Sequence, residues 1–92
     1  MKPETLCILF DYYGELLTEK QQQYFKDYYF DNLTLSELSE NYEVSRNAIH
    51  KTLKEAEEKL KFYEEKLNLL EKRNKIKKII TDDNLNKIID LI

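Results

Sequence analysis

Apolar positions recur along this chain in helical steps almost from its start. Leu6, Leu9, Phe10, Tyr13, Leu16 and Leu17 repeat at steps of three and four, which predicts an amphipathic helix of about three turns. Pro3 suits the start of that helix, and Glu4 complements the positive end of its dipole. Thr18 then opens T-E-K-Q, a capping box with Gln21 at the third helical position. The helix behind it carries Tyr24, Phe25, Tyr28 and Tyr29 and ends near Phe30, where Asp31-Asn32-Leu33 supplies a turn. A second box, T-L-S-E, begins at Thr34 and starts a short helix reaching to about Glu40. Asn41 to Val44 reads as a turn and Ser45 as the N-cap of the next helix. No Gly or Pro interrupts residues 46–80, and Ile49, Leu53, Ala56, Leu60, Tyr63, Leu67 and Leu70 alternate at steps of four and three, a heptad seam. The seam fails at Asn74 and Lys77, which places a kink or an end near 72–75. Ile76, Ile79 and Ile80 then start a new apolar face, and Thr81-Asp82-Asp83 is expected to cap a final short helix holding Leu85, Ile88, Ile89, Leu91 and Ile92.

The fold expected from this pattern is all-α. It is a helix-turn-helix domain over residues 1–71, winged-helix-free, with its motif at 34–54, a long recognition helix, and a short C-terminal helical tail over 72–92. In such a motif the first helix packs across the second and frees the second's outer face for a DNA groove. The crossing needs apolar residues at Leu38, Tyr42, Val44 and Ile49, and a small one where the backbones approach, here Ser39. The turn usually takes a residue that tolerates positive φ, normally Gly, and this chain has Glu43. Thr52 also stands where an apolar residue is usual, with Leu53 able to take over that contact.

The outward residues of the recognition helix are then Ser45, Arg46, Asn47, His50, Lys51 and Lys54. Arg46 and Lys51 can donate to guanine or phosphate oxygens, and Asn47 can pair with adenine. Ser45 and the helix start can hold a phosphate, and a protonated His50 can donate to one. The competing reading is a solvated charged face, since Glu55, Glu57 and Glu58 follow at once and repel a nucleic-acid backbone. The seam also has two readings. Its near part, Ile49 to Leu60, packs within the domain, whereas Leu60, Tyr63, Leu67 and Leu70 form a packing or dimer seam that outreaches so small a core.

Charge sharpens this picture. Residues 1–44 hold three lysines against nine acids, a balance of −6, while residues 45–92 hold twelve basic residues against nine acids, a balance of +3. A dedicated DNA binder is usually basic throughout, so the acidic first half suits a basic protein partner instead. The basic cluster Lys72, Arg73, Lys75, Lys77 and Lys78 reads first as a solvated face, with contact to nucleic acid or to a partner subunit's acidic half as the alternative. The seven Tyr and four Phe fall at helical spacing among acidic neighbours, which favours core packing over base stacking. One cysteine, Cys7 within C-I-L-F, excludes an internal disulfide and fits a reducing cytoplasm. One histidine and one cysteine leave no metal site to expect, and no cofactor is implied. With Gly14 the lone glycine there is no Gly-rich phosphate loop, and no carboxylates pair about a nucleophile, so neither an enzyme nor a small-molecule substrate is expected. The first apolar run is broken by Asp11 and Glu15, which argues against a secretory signal, and no stretch approaches the roughly 20 apolar residues that span a bilayer.

The run L-T-E-K-Q followed by T-L-S-E-L-S-E-N-Y-E-V-S-R resembles region four of bacterial sigma factors. A closer resemblance joins LFDYYGELLTEKQ, the core YYFDNLTLSELSENYEVSRNAIHKTLKEAEEKL and the following FYEEKLNLL. On these segments, roughly residues 6–70, the chain resembles the YlxM-like family of small helix-turn-helix proteins. The resemblance implies an all-helical, sigma-region-four-like domain, a homodimer, and a bacterial protein tied by gene neighbourhood to the signal recognition particle. Two functions follow as expectations. One is a DNA-binding regulator. The other is an accessory factor that binds the particle's protein or RNA.

Overall fold

The computed structural model describes residues 2–83, with side chains described through Lys77, and all regular structure among them is helical. Helix α1 spans Pro3–Tyr13 and passes through a 3₁₀ turn, Gly14–Leu16. Helix α2 spans Glu19–Phe25 and runs into a π turn, Lys26–Phe30. Helices α3 (Leu35–Tyr42), α4 (Arg46–Leu67) and α5 (Leu69–Asp83) follow.

Both capping boxes form. Gln21 N–H donates to Thr18 Oγ1 at 3.2 Å and Thr18 N–H donates to Gln21 Oε1 at 3.0 Å, with the Thr34–Glu37 pair matching at 3.1 Å each way. The first apolar stripe is shorter than its spacing suggests. The 3₁₀ turn rotates the chain, so Leu17 is buried while Leu16 is 53% exposed. A Cβ at Gly14, where that turn meets α1, would come within 3.1 Å of the Phe10 ring, so a larger residue there would displace the ring by a few tenths of an ångström.

Among the described residues two clusters make the core, and α2 is the wedge between them. Leu6, Leu9, Phe10, Tyr13 and Leu17 pack with Phe25 of α2 and with Ala56 and Leu60 of α4. Tyr24, on the other side of α2, packs with Leu38, Ile49 and Leu53. The Phe10 and Phe25 rings stack at 4.6 Å with 3° between planes. The aromatic spacing is thus mostly core packing, although Phe30 remains 46% and Tyr28 36% exposed.

The long helix expected to run from Arg46 to a kink or end near 72–75 stops sooner, and a second helix follows it. The break falls at Asn68, earlier than the expected 72–75, because Asn68 adopts the left-handed conformation (φ 53°) that ends a helix and that Asn tolerates well. Its N–H donates to the Glu64 carbonyl at 2.8 Å. The Glu64 side chain then folds over the break, accepting from the N–H groups of Leu70 (3.1 Å) and Glu71 (3.3 Å). Tyr13 completes the junction: its hydroxyl donates to Glu64 Oε1 at 2.7 Å and accepts from Leu69 N–H at 3.1 Å. A carboxylate from one helix therefore caps the next, and Tyr13 joins it from more than fifty residues upstream, an arrangement invisible to periodicity. The expected cap at Thr81-Asp82-Asp83 is also corrected, since those residues continue α5. Leu85 to Ile92 lie outside the described residues.

Three tyrosine hydroxyls fasten helices by donating to carboxylates: Tyr13 to Glu64, Tyr29 to Glu57 at 2.7 Å, and Tyr42 to Asp27. The bond to Asp27, followed by burial, pushes Tyr42 up to about 12. Burial first and the Glu57 bond second push Tyr29 well above the ordinary tyrosine range. A phenol whose folded pKa is raised stabilises the fold fully below its unfolded pKa near 10, and that contribution is lost as pH rises through the folded value. Stability is therefore expected to fall between pH of about 10 and about 12, tracked by helical ellipticity against pH. Tyr42→Phe is expected to be less stable near neutral pH and to show a shallower alkaline decline.

Candidate nucleic-acid interface

The motif assembles as its residues dictate. Leu38 of α3 and Ile49 and Leu53 of α4 are buried together, with Tyr42, Val44, Leu33 and Leu35 packed around them. Thr52 is only half-buried, and Leu53 makes the contact a motif residue there usually makes. Helix α3 continues two residues past the expected Glu40, because its last turn closes on Tyr42. Glu43 then takes the left-handed conformation, φ 55° and ψ 43°, at a cost of roughly 1–2 kcal/mol for a residue with a Cβ. Ser39 supports the turn: its carbonyl accepts from Val44 N–H at 3.2 Å and its hydroxyl donates to the Val44 carbonyl. Ser45 caps α4 by accepting from Ala48 N–H at 3.1 Å.

This packing leaves Ser45, Arg46, Asn47, His50, Lys51 and Lys54 exposed on one side of α4. Arg46, His50 and Lys54 follow one another at i, i+4 and i+8, with Asn47 and Lys51 beside them. Among the described residues, no carboxylate pairs with Arg46, Lys51 or Lys54. Glu57 and Glu58 occupy the next turn of the same face, so the basic face ends at Lys54. Glu57 is half-buried and its carboxylate is held by the Tyr29 hydroxyl, which draws it down toward α2. The four residues of the seam separate: Leu60 is buried, Tyr63 and Leu70 pack against the first core cluster, and Leu67 is 46% exposed.

Sequence reasoning missed one feature of this surface. Beside Arg46 lies a trough of about 490 Å³ lined by the π turn (Tyr28, Tyr29), the following loop (Asn32 to Thr34) and the start of α3 (Leu35, Ser36). The π turn makes it. One residue more than an α-helical turn, closed by Asp31 N–H donating to the Lys26 carbonyl at 3.1 Å, shifts the register and sets Tyr28 at the surface. Asn32 follows with φ 57°, and Leu33 N–H returns to the Asp27 carbonyl at 3.0 Å. The signal in the sequence was the Asp31-Asn32 turn, but no periodicity marks a π insertion. A smaller cleft of about 190 Å³ shares Tyr28, Tyr29 and Leu35 and extends to His50 and Lys54. Among the described residues, no helix is long and apolar enough to cross a membrane.

Comparison with known proteins adds to this geometry. A family model described as "Putative helix-turn-helix protein, YlxM / p13 like" matches residues 2–90. A UPF0122 protein of Listeria monocytogenes is 46% identical over 80 residues, which is 87% of this chain and 73% of that protein. One from Desulforamulus reducens is 54% identical over 65 residues, 71% of this chain and 56% of its own length. A third, from Thermoanaerobacter, is 40% identical over 87 residues, 95% of this chain and 73% of that protein.

Proposed function

Since this chain belongs to the YlxM/p13-like family of helix-turn-helix proteins, we propose that it is a regulatory protein that binds duplex DNA through the outward face of α4. One observation carries the reading. Ile49 and Leu53 fasten α4 to the core, while Arg46, Lys51 and Lys54 stand exposed on its other side without a carboxylate partner among the described residues. Cations left uncommitted in a chain of net charge −3 suit phosphate and base-edge acceptors better than solvent alone. In this reading Asn47 and Lys51 face base edges, Ser45, His50 and Lys54 the backbone, and the protein acts as a homodimer. Exposed Phe62, Leu67 and Leu69 near the α4–α5 junction support self-association.

The test is fluorescence anisotropy with labelled duplexes across a salt series. Three or four neutralised phosphates give a slope of about −3 to −4 in log K against log salt. Absence of binding to any duplex at about 50 mM salt removes the reading.

A second reading rests on the −6 balance of residues 1–44. Here the protein is an accessory factor that binds signal recognition particle protein or RNA. Co-elution with purified particle components at low salt, together with silence toward duplex DNA, would put this reading in place of the first.

A further inference from the structure

We propose that the trough beside Arg46 holds a backbone phosphate of the duplex that α4 reads, with Tyr28, Asn32 and Ser36 as donors and Arg46 as the neutralising charge. The proposal rests on the DNA-binding reading and names the part of the surface that fixes register on the duplex.

The composition of the trough is the first argument. Half of this chain carries nine acids against three lysines, yet among the described residues no Asp or Glu lines the trough. Among the described residues Arg46 is its one charged residue, accompanied by Tyr28, Asn32, Thr34 and Ser36, with Pro3, Leu33 and Leu35 as its apolar lining. Two nearby carboxylates are engaged elsewhere: Asp27 accepts from the Tyr42 hydroxyl, and Glu37 reaches back to Thr34 N–H in the capping box, while Asp31 beside Asn32 is exposed. A concave surface with one cation, several neutral donors and no anion is complementary to a phosphodiester.

Position is the second argument. Arg46 is both the first residue of α4 and a wall of the trough, so the two surfaces are continuous. In a helix-turn-helix the first helix crosses the backbone while the second enters the groove. The trough reaches the start of α3 through Leu35 and Ser36. Contacts of this kind position the protein without reading sequence. They assign Arg46 to phosphate and leave Asn47 and Lys51 for the bases. Tyr28 is free for the role, because among the described residues its hydroxyl makes no hydrogen bond and its one aromatic partner is Tyr29.

Two gentle substitutions test this. Tyr28→Phe removes a hydroxyl and keeps the ring. Asn32→Gly removes an amide at a position whose φ of 57° suits glycine, so both variants are expected to fold. Anisotropy with the full chain and several unrelated duplexes is expected to show each variant binding about tenfold more weakly, by the same factor for every sequence. Arg46→Ala is expected to reduce the salt slope by about one. Wild-type binding with both gentle variants unaffected overturns the trough and leaves the DNA reading standing. Weakening confined to single-stranded or looped probes also overturns it, in favour of base stacking on Tyr28. A wild type silent toward every duplex overturns both.

Discussion

Replacing Arg46 and Lys51 together by alanine is expected to weaken duplex binding on the order of a hundredfold or more, with the helical content unchanged. Both side chains are exposed, and neither has a carboxylate partner among the described residues, so their removal breaks no internal bond. Surface substitutions of this kind usually cost within about 0.5 kcal/mol of stability. A good bidentate contact to a base edge contributes roughly 1–3 kcal/mol, and a charge-assisted contact to phosphate falls in the same range. Losing one of each therefore removes about 2–6 kcal/mol of binding. Lys51→Ala alone is expected to change the ranking among duplex sequences, whereas Arg46→Ala weakens all of them alike. Anisotropy against a small panel of sequences separates the two. Unchanged affinity in the double variant removes α4 from the contact surface.

Phe25→Ala is expected to unfold most of the domain at moderate temperature. Phe25 is fully buried, stacks on Phe10, lies 4.4 Å from the Tyr29 ring, and meets the edge of Phe30. It is also the residue by which α2 enters the first cluster, where α1 meets α4. Truncating a buried Phe costs about 3–5 kcal/mol through lost burial and the cavity left behind. Small domains hold only about 5–15 kcal/mol in total, and one of this size lies toward the lower end. Urea denaturation followed by circular dichroism reads the effect. A loss under about 1 kcal/mol would mean that the helices do not meet on this ring.

Much of this architecture was legible because its determinants are local. The capping boxes at Thr18 and Thr34, the Ser45 cap and the apolar triplet Leu38, Ile49 and Leu53 lie within one or two turns of the residues they organise. The Glu43 departure was also readable, since only one turn position demands a left-handed residue. What escaped depends on groups far apart in sequence. The spacing of the seam continues through Leu67 to Leu70, so nothing in the period announces that Asn68 breaks the helix. The break is held by Tyr13, more than fifty residues upstream, acting with Glu64. Leu16 obeyed the apolar spacing of α1 but left the core, because a single 3₁₀ turn rotates it outward.

The candidate face was read from the motif, and its residues are exposed as that motif requires. Its extent was not legible. A Glu-rich continuation of α4 suggests repulsion along the face; Glu57 is diverted to the Tyr29 hydroxyl, whereas Glu55 and Glu58 stay exposed and end the basic face at Lys54. The trough at Tyr28 and Asn32 depends on a π insertion, which has no sequence period of its own.

Backbone amide shifts followed by NMR during titration with a short duplex test the central claim most directly. Shifts are expected to concentrate at Ser45 to Lys54, with a second group at Tyr28 to Ser36 and little change along the exposed face of α1. Shifts confined to α1 and α5, with the α4 face silent, would contradict it.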